Sequence, residues 1–321
     1  MSVLVLIDHE QGEVPDSARQ ALTLGRDLAR QLGAPLAAVA IGTGAEAVAL
    51  GQAVDGVWHV DHPVLTDYAP AAWGESVVQL VAQEMPVAVV APGSDRGNEV
   101  LAHVAALSDL PMVANILEAD ASAEAWNLTR VRWGGSLLEK AELSAAVRLV
   151  SAAAHAFPAA ATDGPEAPVS QFSPDLGDAH ALTRVTERVT EEAGITLATA
   201  PVVVSGGRGV GGPDGFGPLE ELAELLAGAV GCSRVVTNNG WRPHSDQVGQ
   251  TGTRVAPELY VACGISGAIQ HWVGMMASKH VLAINTDPEA PMVTKAEYAV
   301  IGDVAEMVPA IVAEVRRRRS T

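Results

Sequence analysis

Cysteine is nearly absent from this chain of 321 residues. Cys232 and Cys263 form no CxxC pair, which excludes iron–sulfur and structural zinc sites of the usual spacing. Two lone thiols fit burial in a reducing cytoplasm. Aromatic residues are scarce as well, with 3 Phe, 3 Tyr and 6 Trp, so the core must rest on Ala, Val and Leu. Basic residues are outnumbered 20 to 38, and the resulting net charge of −18 argues against a nucleic-acid partner. No apolar run approaches the ~18 residues of a membrane span. Met1-Ser2-Val3-Leu4-Val5 enters a strand pattern with no basic segment or cleavage site ahead of it, so a cytoplasmic location is expected. Against these shortages, hydrophobic residues make up 48% and charged residues 18%, which excludes global disorder. At about 150 residues per domain, the length predicts two domains.

Charge and composition place the division. From residue 196 onward there are 10 basic and 12 acidic side chains, a net of −2, whereas the preceding part carries 10 basic and 26 acidic, a net of −16. Residues 158–178, with Pro158, Pro165, Pro168 and Pro174, lack a sustained period and read as a connector. The expected domains are therefore 1–195 and 196–321. In the first, apolar runs at 3–7, 36–41, 57–60 and 87–91 alternate with helical patterns such as Leu24, Leu28 and Leu32 after Ser17, and with segments around 45–54 and 69–84. That alternation implies a parallel sheet covered on both faces. Residues 112–157, with Arg130-Val131-Arg132-Trp133-Gly134-Gly135 and the run 145–154, read as an antiparallel extension. In the second domain, strands are expected at 202–204, 234–237, 259–263, 281–284 and 298–301, with helices at 219–230, 268–275 and 305–317. The fold class is α/β, with two doubly wound, mostly parallel domains.

Three glycine-bearing loops carry the chemistry. Gly207, Gly209 and Gly212 satisfy G-x-G-x-x-G directly after a strand, but Pro213, Asp214, Gly215 and Gly217 delay the helix. Asn238 and Asn239 stand where the ribose-binding Asp or Glu of an NAD site is expected, at the end of the next strand. An ordinary NAD site is disfavoured. A phosphate-handling loop remains, with Arg208 among glycines whose amides can approach an anion, and a flexible turn with one solvated Arg is the alternative. Gln247-Val248-Gly249-Gln250-Thr251-Gly252 offers carboxamides and a hydroxyl suited to a heterocycle edge or a sugar chain. Gly264-Ile265-Ser266-Gly267-Ala268-Ile269-Gln270-His271 follows a strand and opens a helix, which either presents free amides to a phosphate or is capped by Ser266. Loops at the carboxyl ends of parallel strands converge on one crevice, and FAD fits this set better than a mononucleotide. No metal cluster or nucleophile–base pair is visible.

These residues also carry a resemblance. From residue 202 to about 306 the chain is similar to the alpha subunit of electron transfer flavoprotein. The similarity runs through Ser205-Gly206-Gly207-Arg208-Gly209, Gly231-Cys232-Ser233-Arg234 and the loop from Gln247 to Gly252. It continues through Ala256-Pro257-Glu258-Leu259-Tyr260, the segment from Gly264 to His271, and Asp287-Pro288-Glu289-Ala290-Pro291. The first domain matches more loosely, chiefly at 91–106 and 130–139. The resemblance implies a heterodimer with a beta subunit, a first domain of adenine-nucleotide-hydrolase-like fold without an assigned ligand, and a Rossmann-like second domain that holds FAD.

Matching positions imply that Arg208, Ser233 and Arg234 contact the cofactor from the first two strand ends. Gln247, Val248, Gly249, Gln250 and Thr251 would lie along the isoalloxazine and ribityl chain, and Ser266, Gly267, Ala268, Ile269, Gln270 and His271 along the pyrophosphate and ring. Asn285, Asp303 and Val304 would hold the adenosine end. Asn238 replaces a frequent Asp, Trp241 a frequent Phe or Tyr, and Thr286 a frequent Lys. The implied function is an electron carrier without substrate chemistry of its own. It would take electrons from flavin dehydrogenases such as the acyl-CoA dehydrogenases of fatty acid oxidation and pass them to a quinone oxidoreductase. The alternatives are a bifurcating member using NADH with a second FAD in the beta subunit, a self-sufficient dehydrogenase, and a nucleotide-binding regulator. Trp272, Met275 and Met276 read as packing, Arg316 to Arg319 as a solvated helix end, and Asp8-His9 receives no ligand.

Overall fold

The computed structural model describes residues 2–9, 12–45, 52–133, 137–159, 165–183, 185 and 195–319. Gly134 and Gly135 of the expected strand, residues 46–51, residues 160–164 of the expected connector and most of 184–194 lie outside the described residues. The chain separates into two compact units, with the boundary at residues 189/190. Among the described residues, no helix is long and apolar enough to cross a membrane.

Unit one contains β1 (Val3–Ile7), α1 (Asp16–Leu32), β2 (Leu36–Ile41), β3 (Gly56–Val60), α2 (Pro70–Glu84), β4 (Ala88–Ala91) and α3 (Asp95–Ser108). They are followed by β5 (Met112–Asp120), β6 (Trp126–Arg132), β7 (Leu137–Leu143), β8 (Arg148–Ala152) and β9 (Val169–Phe172). The sheet order is β7-β6-β5-β8-β4-β1-β2-β3-β9. Every residue of β1 is buried, as a central parallel strand with helices on both faces requires. The antiparallel extension is present as β5, β6 and β7, whereas β8 joins the parallel part between β4 and β5. The expected connector contains β9, which pairs parallel with β3 at the sheet edge. Its sequence, Val-Ser-Gln-Phe, is short and exposed at three of four positions, so it carries no buried-strand pattern.

At the end of β1 the sheet changes direction, since β2 lies on one side and β4 on the other. The buried Asp8 carboxylate occupies this seam. It accepts a hydrogen bond from the Ser94 hydroxyl and a longer one, 3.4 Å, from that of Ser17. Ser94 caps α3 by accepting from the Gly97 amide at 2.9 Å. Burial pushes the Asp8 pKa up, and the two serines oppose part of the rise.

Unit two contains β10 (Val202–Gly206), α4 (Gly217–Leu225), β11 (Ala229–Cys232), α5 (Arg234–Asn238) and β12 (Leu259–Cys263). It ends with α6 (Ile269–Met275), β13 (His280–Asn285), α7 (Pro291–Lys295), β14 (Tyr298–Ile301) and α8 (Val304–Arg319). All its strands are parallel, in the order β11-β10-β12-β13-β14. This is a doubly wound arrangement with its switch point between β10 and β12. Alternation along the strands feeds two cores. Val204, Val261, Cys263 and Ile284 pack with Leu219, Leu222 and Val308 on one face. Val203, Tyr260, Ala262 and Ala283 pack with Met275 and Met292 on the other.

One expected strand is a helix. Residues 234–237 begin α5, and the second strand is β11, five residues earlier. The β-branched Val235-Val236-Thr237 suggested a strand, but α4 already ends at Leu225, which leaves 229–232 to form the buried strand beside β10. Tertiary placement overrides a modest local propensity here.

Candidate functional site

The carboxyl ends of β10, β11, β12 and β13 surround a cleft of about 520 Å³. Two of the loops at its floor are joined backbone to backbone. Gly207 N–H donates to the Cys263 carbonyl at 2.8 Å, and Gly209 N–H donates to that of Gly264 at 3.0 Å. A Cβ on Gly207 would stand 2.3 Å from the Gly264 oxygen, and one on Gly209 would stand 2.7 Å from the Gly264 Cα. Gly264 has φ +62°, a region costly for other residues. These glycines therefore let two loops touch, and their amides are engaged with protein carbonyls. This corrects the expectation that the amides of Gly207 and Gly209 face an anion.

The charged group expected there is in place. Arg208 and Arg234 both line the cleft, both are exposed, and neither forms an ion pair among the described residues. Ser233 follows β11 and precedes α5, the strand-end position where the sequence had suggested Asn238 and Asn239. Those two asparagines instead lie exposed at the far end of α5. The Ser233 backbone is fixed by donation to the Gly206 carbonyl at 2.9 Å. Its hydroxyl is buried, caps no helix amide and has no hydrogen-bond partner among the described residues.

Ser266, Ala268, Gln270 and His271 line the opposite wall. Ser266 does not cap α6: the cap position belongs to Ala268, which has no side-chain hydrogen bond to offer. Gly267 has φ +82° and is buried, where a Cβ would meet the Met292 nitrogen at 2.3 Å. Ile269 is about half exposed outside the lining. His271 is buried, and burial pushes its imidazole down to about 4, so the ring is neutral at pH 7. Asn285 closes the end of β13. Its Nδ2 donates to the Ile265 carbonyl at 3.0 Å, and its Oδ1 accepts from the Asp287 amide at 3.1 Å.

The remaining predicted residues do not line this cleft. In the loop from Gln247 to Thr251, the Thr237 hydroxyl donates to Gln247 Oε1 at 2.7 Å, and Gln247 Nε2 donates to the Thr251 hydroxyl at 3.0 Å. Val248 is buried and Gly249 has φ +146°. The Gln250 amide donates to the Gln270 carbonyl at 2.7 Å, tying the loop to the cleft wall from behind. Asp303 and Val304 stand one strand further, after β14. Asp303 Oδ1 accepts from the Ala305 amide at 2.9 Å, and the Val304 side chain is in the core. Gly209, Val235, Gly264, Ile265, Asp287 and Ala290 also line the cleft. Their common signal is adjacency to the predicted residues. No polar type or spacing marks Val235, Ile265 or Ala290.

Comparison with known proteins agrees with this architecture. The family model for the electron transfer flavoprotein domain matches residues 3–176, and that for the electron transfer flavoprotein FAD-binding domain matches residues 196–276. The chain is 31% identical to electron transfer flavoprotein subunit alpha of Thermoanaerobacterium thermosaccharolyticum over 98% of each chain. It is 36% identical to the Syntrophomonas wolfei subunit alpha, over 90% of this chain and 92% of that one. For the Pseudomonas aeruginosa subunit alpha the identity is 34%, over 96% of this chain and 98% of the other.

Proposed function

The chain belongs to the electron transfer flavoprotein family as an alpha-subunit member, and from that premise we propose that it carries electrons between flavin dehydrogenases and a separate acceptor with FAD seated in the unit-two cleft. Electron transfer and FAD binding are the family's properties; the partners and the contacts are this proposal's.

The observation that carries the seating is the donor set of the cleft. It combines, among the described residues, two arginines without an ion pair, a buried serine hydroxyl without a hydrogen-bond partner and a neutral histidine around about 520 Å³ at a sheet switch point. Such a set fits a pyrophosphate joined to a polar ring. Arg208, Ser233 and Arg234 would hold the cofactor from the first two strand ends, and Ser266 to His271 from the third. Thr251 and the neighbouring backbone of Gln247 to Gln250 would complete the ring and ribityl side. Asn285 would act by shaping the adenosine end, because both ends of its carboxamide already bind backbone. Asp303 has carboxylate capacity beyond its one backbone bond, while Val304 would contribute through its main chain.

When bound, FAD supplies a redox centre that takes up two electrons and releases them singly. Around it the chain's residues set charge and exclude water. The fixed positive charges of Arg208 and Arg234 favour the more negative, reduced state, since arginine does not deprotonate. The partner that completes the protein would be a beta subunit, the donors flavin dehydrogenases such as acyl-CoA dehydrogenases, and the acceptor a quinone oxidoreductase.

The test is co-purification with the beta subunit, a flavin count per heterodimer, and reduction by a reduced acyl-CoA dehydrogenase. One FAD in this subunit and rapid reduction by the dehydrogenase are expected. A heterodimer without flavin in this subunit, or turnover of a small substrate with no partner protein, would overturn the reading.

A further inference from the structure

The segment leading from α5 to the loop Gln247–Thr251 has almost no hydrophobic anchor. From Asn238 to Asp246 no residue is buried, and its contact with a core is through the half-buried Trp241. What holds it is a cluster centred on Arg242. The Arg242 Nε donates to Asp246 Oδ2 at 2.8 Å, and one terminal guanidinium nitrogen lies 2.8 Å from the same oxygen. The other terminal nitrogen donates to Glu220 on α4. The second Asp246 oxygen accepts from the Ser245 hydroxyl at 3.2 Å. The guanidinium carbon stands 5.5 Å from the centre of the Phe216 ring, within cation–π range. Phe216 is buried against the cleft floor: a Cβ on Gly206, the last residue of β10, would stand 2.5 Å from its ring. The Arg242 and Asp246 side chains are 23% and 20% exposed, so their pairing is less screened than that of an open surface pair.

The members of this cluster are not equally fixed. Glu220 and Phe216 belong to α4 and its approach, which Leu219, Leu222 and Phe216 itself seat in a core. Asp246 belongs to the poorly anchored segment and is bonded directly to Gln247. The guanidinium therefore acts mainly on where the chain leaves Asp246. Three backbone bonds depend on that point: the Val248 amide donates to the Cys232 carbonyl at 2.9 Å, the Thr253 amide to that of Gln247 at 2.7 Å, and the Gln250 amide to that of Gln270 at 2.7 Å. We propose that Arg242, which does not line the cleft, is a positioning residue that sets the place of the loop Gln247–Thr251 by pinning Asp246 to α4 and Phe216. The pin is a property of the chain alone; its consequence for the flavin ring rests on the seating proposed above. Lysine is a poor substitute, because one ammonium cannot join two carboxylates and lie flat on a ring at once.

The experiment compares Arg242→Gln with Asp246→Ala, in the full-length protein with flavin and after stripping. Both variants break the pin, and they change the local charge in opposite directions. In stripped protein, hydrogen exchange at the Val248, Gln250 and Thr253 amides should rise about tenfold in both. The Gly207 and Gly209 amides, which bond to another loop, should keep their rates. In loaded protein the first reduction potential and the flavin absorption bands should move in the same direction in both variants. Arg242→Lys should raise the same three exchange rates by a smaller factor; it keeps the charge and decides the question if the other two do not fold. Potentials that shift in opposite directions, with the lysine variant matching the wild type, would mean that charge alone acts and would overturn the proposal. Unchanged exchange at the three amides, or an equal rise throughout unit two, overturns it as well. Absence of bound flavin would instead refute the seating, while exchange in the stripped protein would still read the pin.

Discussion

Replacing Ser233 by alanine should move stability and cofactor affinity in opposite directions. The backbone at this position is held by its own hydrogen bond to Gly206, and the Val236 amide returns to the Ser233 carbonyl at 2.9 Å. The substitution therefore removes one oxygen and leaves the loop in place. That oxygen is buried without a partner among the described residues, a situation that costs a protein about 1–3 kcal/mol. Alanine relieves the cost, so flavin-stripped protein should gain about 1 kcal/mol. In the loaded protein the hydroxyl would donate to an anionic acceptor, a bond of about 1.5–3 kcal/mol. Both changes weaken binding, because the free form improves while the complex loses a bond. A combined loss of about 3 kcal/mol corresponds to about a 150-fold rise in Kd. Urea unfolding of the stripped protein and flavin fluorescence titration measure the two quantities separately. Ser233→Thr retains the hydroxyl and should keep most of the affinity. An alanine variant that is less stable without flavin and binds it unchanged would refute the reasoning.

Three further outcomes follow from the same geometry. Arg234→Ala should lower the first reduction potential by an amount on the order of 40 mV, and Arg234→Lys should restore part of it, as potentiometric titration would record; equal potentials in all three proteins would remove Arg234 from the flavin's surroundings. Gly264→Ala combines a positive φ with a Cβ placed 2.6 Å from the Gly209 Cα, so a loss of about 2–4 kcal/mol in urea unfolding is expected, together with release of flavin. His271 is held neutral by burial with a pKa of about 4, against 6.5 unfolded; the unfolded state binds the proton first, so stability should fall as pH drops from 6.5 towards 4. That slope amounts to up to ~3 kcal/mol and should be absent in His271→Gln, and matching pH–stability curves for the two proteins would contradict the depressed pKa.

Strands buried on both faces were readable because nothing but apolar residues can occupy them. Leu259–Cys263 and Val3–Ile7 coincide with their expected runs. The errors have physical causes. Val235, Val236 and Thr237 favour extended backbone weakly, and the need to place a strand beside β10 at 229–232 outweighed them. β9 gives no signal because an edge strand exposed at three of four positions needs no apolar alternation. The glycines of the first loop were correctly singled out, yet for contact between loops instead of contact with an anion. A fingerprint records where the backbone must come close, and it does not say what comes close to it. Cleft residues that present main chain or a small apolar face, such as Ile265 and Ala290, have no chemistry for a sequence pattern to register.

The Asp8 carboxylate gives the two units opposite characters at corresponding places. In each sheet the strand order reverses at one seam, and a seam of this kind is where an α/β scaffold receives an anionic guest. Unit two keeps its seam electropositive through Arg208 and Arg234. Unit one fills its own seam with the Asp8 side chain, carried just past β1 and gripped by Ser17 and Ser94. A phosphate arriving there would find the space taken by a side chain whose hydroxyl donors are already engaged. Residues 1–189, with 10 basic and 24 acidic side chains, carry a net −14 that discourages anions over the whole unit. A scaffold used twice in one polypeptide is thereby furnished differently at its two seams: a carboxyl gripped by two serines in the first, two arginines in the second.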